Sequence, residues 1–124
     1  MNLVLPILLM PLLLTGHAPH ITMKDLIVGK GKKAGVGAHV YIDYTGMLTN
    51  GTVFDDSKRH GPPLDFIVGG GRMIKGFDLG VRGMKVGGKR KLTLPPSFAY
   101  GDRAQEGIPA NSTLIFIVQL RKIG

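Results

Sequence analysis

Asn50-Gly51 stands between two runs of alternating polar and apolar residues, and no other feature narrows the fold of this chain so far. Upstream, "AHVYIDYTG" (38–46) sets His39, Tyr41 and Asp43 against Val40, Ile42 and Tyr44, the period of a half-buried strand. Asn-Gly is a strong hairpin signal, so "TVFDDS" returns antiparallel to that strand. The return puts Asp55 just after Val53 and Phe54, where the pattern points into a core. A carboxylate in such a place is on the surface, paired, or part of a site, because burying an unpaired charge is costly.

The remaining pattern is short strands and one weak helix. "KDLIVGKGKK" (24–33) is a short apolar run followed by a basic, glycine-punctuated turn. "LDFIVGG" (64–70) reads as a strand entered through Pro62-Pro63, and "RKLTL" (90–94) and "STLIFIVQLRKI" (112–123) as two more, the last being the most β-branched. Only "MIKGFDLGVRGM" (73–84) has helical spacing, with Ile74, Phe77 and Val81 at i, i+3, i+7. Gly76, Gly80 and Gly83 each cost about 1 kcal/mol there relative to Ala, so the helix is expected to be short and held by packing. With 19 Gly and 8 Pro in 124 residues, the composition favours turns and sheet. The prediction is one α+β domain, an antiparallel sheet curled across a short helix.

Several chemistries are excluded. There is no Cys, which removes thiol catalysis, thiolate metal sites and disulfides. His17, His20, His39 and His60 have no metal-ligand spacing, so no metal site is predicted. Ser57, Ser97 and Ser112 lack a nucleophile-elbow context. "GGGRMIKG" (69–76) fits neither a phosphate loop nor a dinucleotide fingerprint. The net charge is +8, and no acidic residue lies between Leu79 and Gly101 while Arg82, Lys85, Lys89, Arg90 and Lys91 do. That is a patch for an acidic partner or a solvated face. The solvated face is the better reading, because consecutive Lys89-Arg90-Lys91 alternate sides of a strand and no recognition helix or aromatic row accompanies them. No nucleic-acid partner is expected.

The N-terminus differs from the rest. The uncharged apolar run Leu3 to Leu14 is too short to span a bilayer and is interrupted by Pro6 and Pro11, but it has the length of a secretory h-region. No Lys or Arg precedes it, and Pro19 follows the small pair Gly16/Ala18. The expected organisation is a signal peptide or leader over 1–18 and a domain over 19–124. An uncleaved anchor or a mis-set start codon are the alternatives. Asn50-Gly51-Thr52 and Asn111-Ser112-Thr113 are glycosylation sequons, which matter only if the chain is exported.

Aromatic and apolar residues also gather in loops and at strand ends: Tyr44, Phe54, Leu64, Met73, Ile74, Phe77, Tyr100, Ile108 and Phe116. Spacing leaves two readings open, plain core or the lining of a shallow apolar pocket. Taken together, "YTGML.NGTVFDDS", "FIVGGGRMIKGFDLGVRGMKVGGKRKLTLPPSFAYG" and "IPANSTLIFIVQLRKI" resemble the FKBP-type peptidyl-prolyl cis-trans isomerases, the immunophilins that bind tacrolimus and rapamycin. The resemblance covers about Lys24 to Ile123, and the leader plus one domain is most similar to the small endoplasmic-reticulum members.

The resemblance implies a five- or six-stranded antiparallel half-barrel over one short helix, acting on X-Pro bonds during protein folding without a cofactor. It implies Phe77 as the pocket floor, a smaller ring than the family's usual Trp, with Tyr44, Phe54 and Phe116 as walls and Met73 and Ile74 at the edge. Asp55 matches the acid beside Phe, Tyr100 the loop tyrosine that meets ligand carbonyls, and Ile108 an apolar rim residue. Tyr44, Asp55 and Tyr100 are thereby the candidate catalytic groups, and Phe54, Leu64, Met73, Ile74, Phe77, Ile108 and Phe116 the candidate substrate- and macrolide-binding ones. Asp56 is expected to point outward and be dispensable. The implied partners are proline-containing polypeptides and tacrolimus- or rapamycin-type ligands, met in the secretory pathway, in the endoplasmic-reticulum lumen, with a cytoplasmic or membrane-anchored place as the alternative where the leader is not a cleaved signal. With no coiled coil or obvious apolar face in the sequence, a monomer is expected. The chain departs from the family at Leu64, His60, Gln105 and a shortened 107–113 segment, which bear on substrate preference and drug affinity. "RKIG" is not a retrieval signal. A non-catalytic module that holds proline segments in the same pocket is the alternative function.

Overall fold

Two ten-residue strands carry the sheet in this computed structural model, which describes residues 18–124. Apart from Ala18, the expected leader lies outside the described residues. Strand β2 (His39–Leu48) and strand β6 (Leu114–Ile123) pair antiparallel from Val40↔Ile123 to Leu48↔Leu114. Along β6, Leu114, Phe116, Val118 and Leu120 are buried while their neighbours are only partly covered, the alternation of a sheet with one face on a core. Tyr44 and Gly46 of β2 sit opposite Val118 and Phe116, so they share that inner face.

Four shorter strands complete the sheet: β1 (Thr22–Ile27), β3 (Val53–Asp56), β4 (Leu64–Ile67) and β5 (Lys89–Leu94). The order is β1-β5-β6-β2-β3, and β4 pairs with the other half of the same β2 edge. β2 is long enough to hold both: Thr45–Met47 face β3, and His39–Ile42 face β4. Register breaks at Tyr41/Ile42 against β6 and at Gly46/Met47 against β3 leave Arg121 of β6 and Phe54 of β3 as extra residues, which bends those two strands and increases the local twist. The expected hairpin closes with the Gly51 N–H donating to the Leu48 carbonyl at 2.9 Å. Gly51 alone of the turn residues takes a positive φ, 91°, a conformation costly for residues with a Cβ.

Helix α1 (Lys75–Val81) is shorter than the 73–84 stretch its periodicity covers. It lies across the concave face, burying Phe77 and Val81, and its two glycines explain the close approach. A Cβ on Gly76 would stand 2.6 Å from Leu94 Cδ2, and one on Gly80 2.5 Å from Leu92 Cδ1. The core between sheet and helix includes Val40, Ile42, Val81, Leu92, Leu94, Leu114, Val118 and Leu120, all fully buried. Each such side chain is stabilised by about 1.5–3 kcal/mol relative to exposure. The fold class is the predicted one: α+β, an antiparallel sheet half-closed over one short helix.

The basic stretch resolves into two faces. Lys91 is exposed, but Arg90 turns inward and is 9% exposed. Its Nε donates to Asp25 Oδ1 at 2.7 Å, and one terminal nitrogen donates to the Gly80 and Arg82 carbonyls at 2.9 Å each. Those carbonyls end α1 and lack helical partners, so a cation suits them.

Candidate functional site: an aromatic cleft with one carboxylate

β2, β3 and β6 meet α1 at the open end of the curled sheet, and each brings an aromatic ring. Phe77 of α1 is 2% exposed and forms the floor. Phe116 of β6 stands 5.0 Å from it between ring centroids, Tyr44 of β2 stands 5.7 Å from it edge-on, and Phe54 of β3 meets Phe116 at 5.7 Å and 89°. In the edge-to-face pairs Tyr44–Phe77 and Phe54–Phe116 one ring presents its positive rim to the other's face, while Phe77 and Phe116 are tilted at 54°. Phe66, from β4, backs the floor at 6.0 Å. The rings bound a cleft of about 270 Å³, completed by Asp55, Leu64, Arg72, Met73, Ile74 and Tyr100.

The structure therefore brings together Tyr44, Phe54, Asp55, Leu64, Met73, Ile74, Phe77, Tyr100 and Phe116. Ile108 is placed differently. It is 6% exposed, belongs to the buried core, and is not among the residues lining the cleft. Its loop is closed by reciprocal backbone hydrogen bonds with Gln105 at 2.9 Å. Met73 and Ile74 are held where the β4–α1 loop enters the helix, and Asp78 anchors that loop by accepting from the Gly69 N–H at 2.6 Å.

Asp55 is the one carboxylate on the cleft wall. Its Oδ2 accepts the Tyr44 hydroxyl proton at 2.7 Å. Its Oδ1 accepts the Asp56 backbone N–H at 2.8 Å and lies 2.8 Å from His60 Nε2. Burial alone would push its pKa up, but the hydrogen bonds from Tyr44, His60 and the Asp56 N–H outweigh burial and hold it below the usual carboxylate range. Asp55 is thus ionised at neutral pH. Burial raises Tyr44 strongly, and the bond to Asp55 raises it further, so its hydroxyl stays a donor. Asp56 turns away from the cleft, yet it is not idle. Its carboxylate accepts from the Lys58 N–H at 2.9 Å and the Thr45 hydroxyl at 3.2 Å, and so caps the 3-10 turn Ser57–His60 that carries His60.

Two contributors were not singled out from the sequence. A Cβ on Gly46 would stand 2.7 Å from Phe54 Cζ and 2.8 Å from Phe116 Cε1, so glycine is what lets both walls stand over β2. A glycine inside an otherwise alternating strand is the signal that could have found it. Arg72 lines the cleft as well, but nothing in its sequence context marks it. Among the described residues no three His, Asp or Glu side chains converge as a metal site.

A curled antiparallel sheet over one short helix, with an aromatic floor on the helix and a Tyr–Asp pair on the wall, defines a class of small proteins that bind in an apolar cleft. The sequence profile described as FKBP-type peptidyl-prolyl cis-trans isomerase matches residues 30–121, and the chain belongs to that family. It is 52% identical over 93 residues to FK506-binding protein 1 of Dictyostelium discoideum, covering 74% of this chain and 87% of that one. It is 50% identical over 103 residues to FK506-binding protein 4 of Chaetomium thermophilum, 83% of this chain but only 21% of that relative, so it spans about a fifth of that protein's length. The crystal structure of AtFKBP13 superposes with a TM-score of 0.77 at 39% identity, covering 84% of this chain and 93% of that one.

Proposed function

We propose that this chain accelerates cis–trans exchange of X-Pro bonds in polypeptide clients by favouring the twisted amide in the aromatic cleft. The observation that carries this reading is the Tyr44–Asp55 hydrogen bond of 2.7 Å at the wall of a cleft floored by Phe77. X-Pro rotation has a barrier of about 18–20 kcal/mol because it breaks amide resonance, and it makes and breaks no covalent bond. Planar resonance separates charge between oxygen and nitrogen, and the twisted amide loses that separation. An apolar wall therefore favours the twisted state over the planar one, which is differential binding of the transition state. Every 1.4 kcal/mol of preference is about a tenfold gain in rate.

In this reading Phe54, Ile74, Phe77 and Phe116 hold the prolyl ring. The Ile74 backbone N–H and the half-exposed Tyr100 hydroxyl hold the flanking peptide by hydrogen bonds. Asp55 faces the carbonyl carbon as the amide twists and shapes the field there; it transfers no proton. Tacrolimus- and rapamycin-type macrolides compete for the same cleft. Leu64 and the Phe77 floor tune which residue is accepted before proline.

The test is exchange of X-Leu-Pro-Phe and X-Ala-Pro-Phe peptides with and without rapamycin. Acceleration abolished by the drug is the expected result. Drug binding without acceleration would instead indicate a module that holds proline segments. The apolar run Leu3–Leu14 supports export, and Asn50 and Asn111 are both exposed in the fold. Expression in a eukaryotic secretory system should give an upward gel shift removed by endoglycosidase; an unshifted chain would count against that route.

A further inference from the structure

Asp55 receives a side chain from outside the cleft. His60 is 61% exposed at its side chain, yet its Nε2 lies 2.8 Å from Asp55 Oδ1, on the far side of the carboxylate from Tyr44. An ionised carboxylate only accepts, so Nε2 is the donor and carries a proton whether the imidazole is neutral or charged. The hydrogen bond therefore survives a change in charge. What changes is the field: neutral His60 leaves Asp55 its full negative charge at the cleft, and protonated His60 sets a positive charge against it.

We propose that His60 is a positioning residue for Asp55 that makes isomerisation depend on pH, slowing it when the imidazole is protonated. This rests on the reading of the cleft given above. The other charged groups around His60 have separate commitments. Asp65 of β4 pairs with His39 of β2 at 2.8 Å, and Asp56 of β3 is bonded to Thr45 and the Lys58 N–H. Tyr44 of β2 donates to Asp55 itself. Lys58 and Arg59, on the same turn as His60, are exposed. His39 is the other described imidazole in this neighbourhood, and its carboxylate partner does not line the aromatic cleft.

The experiment is exchange NMR of an X-Leu-Pro-Phe peptide with the full chain from about pH 5.5 to about pH 8, which needs no coupling protease. Wild type is expected to lose up to about fivefold in kcat/KM toward the acid end through kcat, the span that partial neutralisation of a half-exposed charge allows. His60→Arg, permanently charged, should stay flat at the lower level; His60→Gln, neutral with an N–H donor, should stay flat at the higher one. His39→Gln should keep the wild-type profile. A flat wild-type profile, or an inflection that persists in His60→Gln, would overturn the proposal. Wild type that accelerates exchange at no pH would overturn the isomerase reading itself, and this proposal with it.

Discussion

At Asp55 three donors converge on one carboxylate, and each offsets part of the cost of taking it out of water. Asp55→Ala removes the one charge on the cleft wall that the proposed function sets against the substrate, and it leaves the Tyr44 hydroxyl without its acceptor. Loss of about tenfold in kcat/KM is expected, with about 1 kcal/mol of stability lost in chemical denaturation; activity within twofold of wild type would exclude the assigned role. The folded-state pKa of Asp55 lies below its unfolded value of about 3.9, so its contribution is complete above that value and is lost as pH falls through the lowered one. The stability gap between wild type and Asp55→Asn should therefore shrink steadily between about pH 5 and about pH 2, measured by urea unfolding at each pH. Asp55 could be read from the sequence because a charge following Val53 and Phe54 breaks a visible pattern. Gly46 was visible as a break in an alternating strand, but what it makes room for was not, because the two rings that crowd it come from β3 and β6. Gly46→Ala should displace them and lower macrolide affinity and kcat/KM together, with the displacement visible in aromatic NMR shifts.

At the scale of the element, α1 shows a conflict between local propensity and packing. Three glycines made it a poor helix by sequence, and two of them turn out to be its contact surface with Leu92 and Leu94. Gly76→Ala gains about 1 kcal/mol of helix propensity, but it drives a methyl into a fully buried leucine and to within 2.9 Å of the Phe98 carbonyl. Overpacking of that kind costs about 1–3 kcal/mol, so the net effect expected in thermal unfolding is loss of stability. A stabilised Gly76→Ala would show that the helix can lift from the sheet. Arg90 joins the same elements from the other side, tying β5 and β1 to the end of α1. Arg90→Met keeps the stem but abandons two helix-terminal carbonyls, a loss of about 2 kcal/mol. The alternation of Lys89, Arg90 and Lys91 reads from the sequence as a solvated face; that Arg90 turns inward, and which carbonyls it meets, is set by the packing of β5 on α1.

Across the whole molecule, cohesion is uneven. β2 and β6 are paired along nearly their full length and carry much of the core, whereas every residue of β1 is exposed and, among the described residues, β1 pairs with β5 alone. Native-state hydrogen exchange should find the amides of β1 opening well before those of Val40, Ile42 and Val118; equal protection would mean that β1 is part of the same cooperative unit. The architecture was legible because alternation, an Asn-Gly turn and one helical stripe are local signals whose periods differ. The resemblance to a family supplied the residues of the cleft, which periodicity alone could not separate from plain core. The sequence by itself determined the antiparallel sheet, the short helix across it and the presence of a carboxylate directly after Phe54 on the returning strand of a hairpin, since these follow from the order of neighbours along the chain. Only the tertiary structure decided that Ile108 lies in the core, that Gly46 makes room for the rings, and that His60 reaches Asp55. Those outcomes depend on distances between segments far apart in the chain, which are set by how the sheet curls and not by any local preference.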